Sequence, residues 1–150
     1  MGKEILTVDN VMLDARPKDK WDAIRLCGQI LIDNGYVKPG YIEDMYARER
    51  AESVYIGNQI AIPHGLERSE HNIYESGISI VQVPEGIRFD ENDAEKTAYV
   101  FIGIAGKNNT HLDILGKIAL VCCEMGNVEI LKTSRNKQQI VNLLKDIEEL

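Results

Sequence analysis

Apolar residues along this chain follow two different periods. Between residues 20 and 50 they recur every three or four positions, with Trp21, Ile24, Cys27, Gly28 and Leu31 on one stripe and Ile42, Met45 and Tyr46 on a second. That spacing predicts two amphipathic helices. Arg16-Pro17-Lys18-Asp19 supplies the start of the first and Asn34-Gly35 its end, while Pro39-Gly40 opens the second. Glu43, Asp44, Arg48, Glu49 and Arg50 make the remainder of the second helix charged, and the Arg48-Glu49-Arg50 run is expected to be a solvated face.

The middle of the chain changes period. Ile60 to Ile62 is a short apolar run that reads as a buried strand, with Pro63 expected to end its ladder by removing a backbone donor. Ser76 to Val83 alternates as a strand does, Pro84-Glu85-Gly86 reads as a turn, and Ile87 to Phe89 as a short return strand. Thr97 to Ala105 is almost continuously apolar and β-rich, which predicts a strand covered on both faces at the centre of the sheet. A loop from Gly106 to Thr110 leads into a helix expected from Thr110 to Met125, capped by Asn109 or Thr110, whose stripe is His111, Leu115, Ile118 and Cys122. Gly126-Asn127 is expected to break the chain, Val128, Ile130 and Leu131 to form a short apolar piece, and Thr133-Ser134 to cap a last helix with core positions Ile140, Leu143, Leu144 and Ile147. Strands interleaved with helices define an α/β fold, a single-domain layered sandwich over 1–150 with a mixed β-sheet flanked by helices on both faces.

Composition narrows what such a domain does. At 44% hydrophobic and 27% charged residues it is an ordinary globular sequence, and its formal net charge of -7 argues against nucleic-acid or anionic-membrane surfaces. No stretch approaches a membrane-spanning length, so direct membrane insertion is not expected. Cys27, Cys122 and Cys123 are too few and wrongly spaced for a zinc site or a disulfide framework, which points to a reduced, cytoplasmic setting.

Chemistry concentrates on two histidines. His64, in Pro63-His64-Gly65, is delivered at a strand terminus, where Gly65 lets another surface approach the imidazole. An imidazole with a pKa near 6.5 stays largely neutral and nucleophilic at neutral pH, although a histidine that merely caps a strand end has the same local sequence. His111 falls in the first turn of its helix, where free amides and the positive end of the helix dipole favour an anion such as a phosphoryl group. Both lie at strand exits, which in layered α/β folds gather along one edge of the sheet and so place the two rings in one pocket. His71, in the polar stretch Glu67-Arg68-Ser69-Glu70-His71-Asn72, is expected in solvent. No Gly-x-Ser-x-Gly elbow, P-loop or His-Glu-x-x-His motif is present.

Three blocks in order, Tyr55 to Gly65, Val83 to Phe89 and Ile102 to Leu115, resemble the enzyme IIA domain of the mannitol/fructose class of the bacterial sugar phosphotransferase system. The Asn108-Asn109-Thr110-His111 form of the third block is most similar to the mannitol branch. The resemblance implies a phosphocarrier that needs no metal or cofactor. His64 would accept a phosphoryl group from the phosphohistidine of HPr and pass it to a cysteine of the cognate enzyme IIB. His111 matches the second histidine of the family's motif, and Arg48 matches an arginine near the site, which gives Arg48 a role beyond a solvated face. Within the same fold the alternative is a regulatory module whose partner reads the phosphorylation state of the histidine. The sequence departs from the mannitol-type pattern at Gly106, Lys107 and Cys122-Cys123; none is expected to touch the assigned groups, and Lys107 is placed beside the loop where it would alter phosphate affinity.

Overall fold

In the computed structural model, residues 3–145 are described, apart from the side chains of Glu67 and Asn109. Five strands, β1 (Val11–Met12), β2 (Tyr55–Gly57), β3 (Ile60–Ala61), β4 (Gly77–Asp90) and β5 (Asp93–Ala105), form one sheet in the order β1-β4-β5-β3-β2. β1 pairs parallel with β4 and β3 parallel with β5, whereas β4–β5 and β2–β3 are antiparallel, so the sheet is mixed as expected. Helices α1 (Lys20–Asp33) and α2 (Tyr41–Ala51) pack on one face; α3 (His111–Cys122), α4 (Met125–Thr133) and α5 (Lys137–Leu144) pack on the other.

Alternation along β5 explains the two cores. Val100, Ile102 and Ile104 point into the α3–α5 layer, and Phe101 and Ala105 into the α1–α2 layer. Each fully buried Ile or Phe contributes roughly 1.5–3 kcal/mol of hydrophobic free energy, which makes this central strand the anchor of both layers.

Local signals place α1 where the sequence put it. Asp19 caps it by accepting the Asp22 N–H at 2.8 Å, and Gly35 leaves it with φ 81°. The β2–β3 hairpin turns through Asn58 and Gln59, both with positive φ (52° and 70°), the twist that a two-residue hairpin requires.

Several expectations are corrected. Pro84-Glu85-Gly86 is not a turn: β4 runs through it to Asp90 with a break in register between Gln82 and Ile87, and the chain reverses after Asp90. Proline and glycine are tolerated there because a bulge needs neither the missing donor nor a negative φ. Gly77 to Val83 is buried throughout rather than on alternate residues, because helices cover both faces. Its polar members are satisfied: Ser79 Oγ donates to the Cys27 carbonyl at 2.9 Å, and Gln82 Nε2 donates to the carbonyls of Leu131 (3.2 Å) and Ser134 (2.8 Å). The break after α3 falls at Cys123-Glu124; Gly126 and Asn127 lie inside α4, and Val128, Ile130 and Leu131 are helical. Asn136 rather than Thr133-Ser134 caps α5, accepting the Gln138 and Gln139 N–H groups. Ile140 and Leu144 are core positions of α5, Leu143 is partly buried, and Ile147 lies outside the described residues.

Gln82 links the central sheet to the α4–α5 connection. Gln82→Leu is expected to lower stability by about 2 kcal/mol, since it leaves two inward-facing carbonyls without their donor. Urea unfolding should show a lower midpoint at unchanged slope.

Candidate functional site

β3 sets the position of His64. Its parallel pairing with β5 matches Ile60 to Val100 and Ala61 to Phe101, and the ladder continues past Pro63. The Ile104 N–H donates to the Pro63 carbonyl at 2.9 Å, and His64 forms a parallel bridge with Ile104. Proline therefore withdraws a donor without ending the pairing, because its carbonyl still accepts. At that last bridge the His64 side chain turns back and its Nδ1 lies 2.8 Å from the Ile62 carbonyl. A carbonyl only accepts, so Nδ1 carries the proton and the lone pair of the neutral ring resides on Nε2. His64 is half-buried, and its pKa is held below the ordinary value. Burial is the largest cause; the Ile62 hydrogen bond opposes it, and the positive charge of Arg48 and of His111 adds to it.

His111 arrives from the other side of the same opening. β5 ends at Ala105, and the chain passes through Gly106 and a 3₁₀ turn, Lys107–Asn109, into α3. A β-carbon on Gly106 would stand 2.4 Å from the His111 Cα, so only glycine allows this tight entry. Three contacts fasten the loop to the segment before β4: the Lys107 N–H donates to Ser76 Oγ (2.9 Å), the Lys107 ammonium to the Ile73 carbonyl (2.8 Å), and the Asn108 N–H to a Glu70 carboxylate oxygen. Thr110 caps α3 in position only, because its hydroxyl donates to the Lys107 carbonyl instead of receiving a helix amide.

His64 and His111 line one depression together with Tyr41, Gly65, Leu66, Glu70, Ile73 and Gly106. A contiguous shallower one adds Arg48, Ile56, Leu112 and Leu115 around the same two rings. Arg48 comes from the last turn of α2, where its guanidinium donates to the Glu52 carbonyl and lies 4.0 Å from the Glu52 carboxylate. The three residues singled out from sequence thus share one site. His71 is exposed, as expected, with its Nδ1 at 3.1 Å from the Arg68 carbonyl.

Other readings require correction. Glu49 is not solvated: its side chain is 3% exposed, accepts the Val54 N–H at 2.8 Å and pairs with the Lys20 ammonium at 3.0 Å. This partner lies on α1, too far along the chain for a charge run to reveal. Gly106 does touch the assigned groups, since it seats His111, while the Lys107 ammonium is committed to Ile73. Sequence reasoning missed Tyr41, which is buried under Gly65, and Glu70 on the rim of the depression. Tyr41 lies four residues before Met45, so extending the α2 stripe backwards by one turn would have placed it inside.

A neutral imidazole with a free Nε2, beside a second imidazole, an arginine and the amide end of a helix, is equipped to hold an anion against a nucleophilic nitrogen. Among the described residues no cluster of three or more His, Cys, Asp or Glu is arranged to hold a metal ion, and no helix is long and apolar enough to cross a membrane. Geometry of this kind, on a mixed sheet covered by helices on both faces, defines a histidine-centred α/β sandwich. Residues 4–147 match the family described as phosphoenolpyruvate-dependent sugar phosphotransferase system, EIIA 2, and the chain belongs to that family. It is 47% identical to the mannitol-specific phosphotransferase enzyme IIA component of Geobacillus stearothermophilus over 98% of this chain and 99% of that protein. Its fold matches the crystal structure of IIA mannitol from Escherichia coli with a TM-score of 0.86 at 32% identity, covering 93% of this chain and 98% of that one. It likewise matches, with a TM-score of 0.87 at 31% identity over 93% of this chain and 96% of that one, a chain in the complex of enzyme IIA-mannitol and phosphorylated enzyme IIB-mannitol from Escherichia coli.

Long-range nitrogen–proton NMR spectra are expected to place the His64 proton on Nδ1 near neutral pH and to give a titration midpoint below 6.5. Since a lowered pKa keeps the ring neutral further into acid, His64 should remain unprotonated where a free imidazole has begun to charge. Arg48→Met should move the midpoint upward by removing one positive neighbour. A midpoint above 6.5, or a proton on Nε2, contradicts this electrostatic account.

Proposed function

We propose that this chain is a phosphocarrier of a mannitol-type sugar phosphotransferase system. It takes a phosphoryl group from the phosphohistidine of HPr onto His64 and passes it to a cysteine of the cognate enzyme IIB. The observation that carries this reading is the Nδ1 hydrogen bond to Ile62, which leaves Nε2 of a neutral, half-buried ring as the free nucleophile of the depression. The mannitol-specific name of the Geobacillus relative supports the sugar, and the presence of phosphorylated enzyme IIB beside the matched chain in the Escherichia coli complex supports enzyme IIB as acceptor. Which sugar is moved is decided by the membrane subunit, so the chain contributes the transfer and not the selection.

Chemically the steps are balanced. Nε2 attacks phosphorus as the nitrogen–phosphorus bond of the donor breaks, returning a free histidine on HPr. A thiolate of enzyme IIB then attacks the same phosphorus, forming a sulfur–phosphorus bond and restoring His64. Phosphoryl transfer has a loose transition state, so the protein's tasks are alignment and stabilisation of charge on the equatorial oxygens. His111 and Arg48 are the donors for those oxygens, together with the first free amides of α3. Arg48 makes this contact by exchanging its hold on Glu52, a surface interaction that costs little to break. No metal, nucleotide or other cofactor takes part.

Docking rests on the apolar residues that surround the depression. Ile56 and Leu112, 47% and 65% exposed, lie with Leu115 around the same two rings, and it is this contiguity rather than their exposure that marks a docking patch. The acidic balance of the chain favours basic donor surfaces and predicts binding that weakens with salt.

Incubation with phosphoenolpyruvate, enzyme I and HPr, followed by intact-mass measurement, tests the assignment. The protein should gain one acid-labile phosphoryl group, His64→Ala should gain none, and His111→Ala should gain it at a rate lower by about 100-fold. A modified His64→Ala protein refutes the central role of His64. Transfer onward to enzyme IIB, measured as loss of that mass, tests the acceptor.

A further inference from the structure

The last rung between the His64 strap and β5 is not closed like the others. In a parallel ladder the Ile104 N–H bonds to the residue before its partner, and the Ile104 carbonyl receives the N–H of the residue after it. The first of these bonds is present: Ile104 N–H to the Pro63 carbonyl, 2.9 Å. At the second, His64 and Ile104 still face each other in bridge register, but no short direct bond joins the Gly65 N–H to the Ile104 carbonyl, and a side chain spans the gap. The Gly65 N–H donates to the Tyr41 hydroxyl at 2.9 Å, and that hydroxyl donates to the Ile104 carbonyl at 2.7 Å.

We infer that Tyr41 is a positioning residue for phosphoryl transfer, a hydroxyl wedged into the β3–β5 ladder that sets how far His64 stands from the exit carrying His111. One oxygen serves both strands, and its burial is complete enough to raise its pKa well above that of an ordinary phenol, so it remains a protonated donor. The rest of the ring fills the space beneath the strap: a β-carbon on Gly65 would stand 2.6 Å from Tyr41 Cε1. The wedge acts where spacing matters, since Tyr41, His64, Gly65, Gly106 and His111 all line the same depression. Direct closure of the rung would draw Gly65 toward Ile104 by the width of a hydroxyl and carry the His64 backbone with it. Separation of the two imidazoles is therefore built by α2, through a residue that touches neither donor nor acceptor.

The same hydroxyl also occupies the Gly65 amide. That N–H adjoins His64 and would otherwise be free to bind a phosphoryl oxygen. The anion is thus left to His111, Arg48 and the start of α3.

This inference rests on the phosphocarrier reading for its kinetic consequence and on the hydrogen bonds alone for its spectroscopic one. In Tyr41→Phe the direct Gly65-to-Ile104 bond should form. It is detected as a through-hydrogen-bond coupling between the Gly65 nitrogen and the Ile104 carbonyl carbon that wild type lacks. The maximal rate of phosphoryl acceptance from phosphorylated HPr should fall by about 10- to 100-fold with little change in the HPr concentration for half-maximal rate, because geometry and not docking is altered. Should the phenylalanine variant not fold, a fluorinated tyrosine at position 41 replaces it. Its more acidic hydroxyl strengthens donation to Ile104 and weakens acceptance from Gly65, so the Gly65 amide proton should move upfield and the maximal rate should change. The coupling already present in wild type, or a folded variant with wild-type rate, overturns the inference. An unphosphorylated wild type with the coupling change intact instead overturns the phosphocarrier reading and leaves the wedge standing.

Discussion

Two-sided burial of β5 is the constraint on which the rest of the molecule depends. The strand is paired on both edges and covered on both faces, with Ile102 and Ile104 in one core and Phe101 and Ala105 in the other. A segment held in this way has no low-energy means of shifting, because a slip of one residue would exchange its two faces. Both histidines are suspended from its end. His64 hangs from the neighbouring parallel strand through Pro63 and Ile104, and His111 follows from the strand's own continuation through Gly106. The site inherits its rigidity from the sheet and its chemistry from the two short connections that leave it.

Electrostatics at that edge follow from the same arrangement. An imidazole taken partly out of water beside an arginine and another imidazole resists protonation, which is what a nitrogen nucleophile at neutral pH requires. The Ile62 carbonyl then selects which nitrogen is free. Neither effect uses a carboxylate against the ring, and the anion that arrives meets a surface already arranged to receive it.

Much of this was legible because local signals and tertiary fate agreed. Asp19 and Asn34-Gly35 bracket α1 by capping chemistry alone, and the unbroken apolar run of β5 announces burial on both sides. The misreadings share one cause, a dependence on partners far along the chain. Pro84 and Gly86 carry turn chemistry, yet β5 lies alongside and converts them into a bulge, while the true reversal after Asp90 contains neither residue type. Glu49 sits in a charge run and is drawn inward by Lys20, which is invisible from α2. Gly126 and Asn127 would weaken an isolated helix, but Val128 and Leu131 bury α4 against the sheet and hold it. At the site, His64 and His111 could be placed together by strand exit, and Arg48 by resemblance alone. The burial of Tyr41 could be read from the α2 stripe, but not its bridging hydroxyl, which exists only where α2 crosses the ladder.

The placement of the cysteines offers a ruler. Burial pushes the Cys27 and Cys122 thiols up to about 12 and about 11, whereas Cys123 is exposed just past the end of α3. His111 begins that helix, so the accessible sulfur stands about 18 Å along the axis from the imidazole. A dye attached there would report the arrival of each partner through energy transfer, one turnover at a time, without touching the edge where they dock.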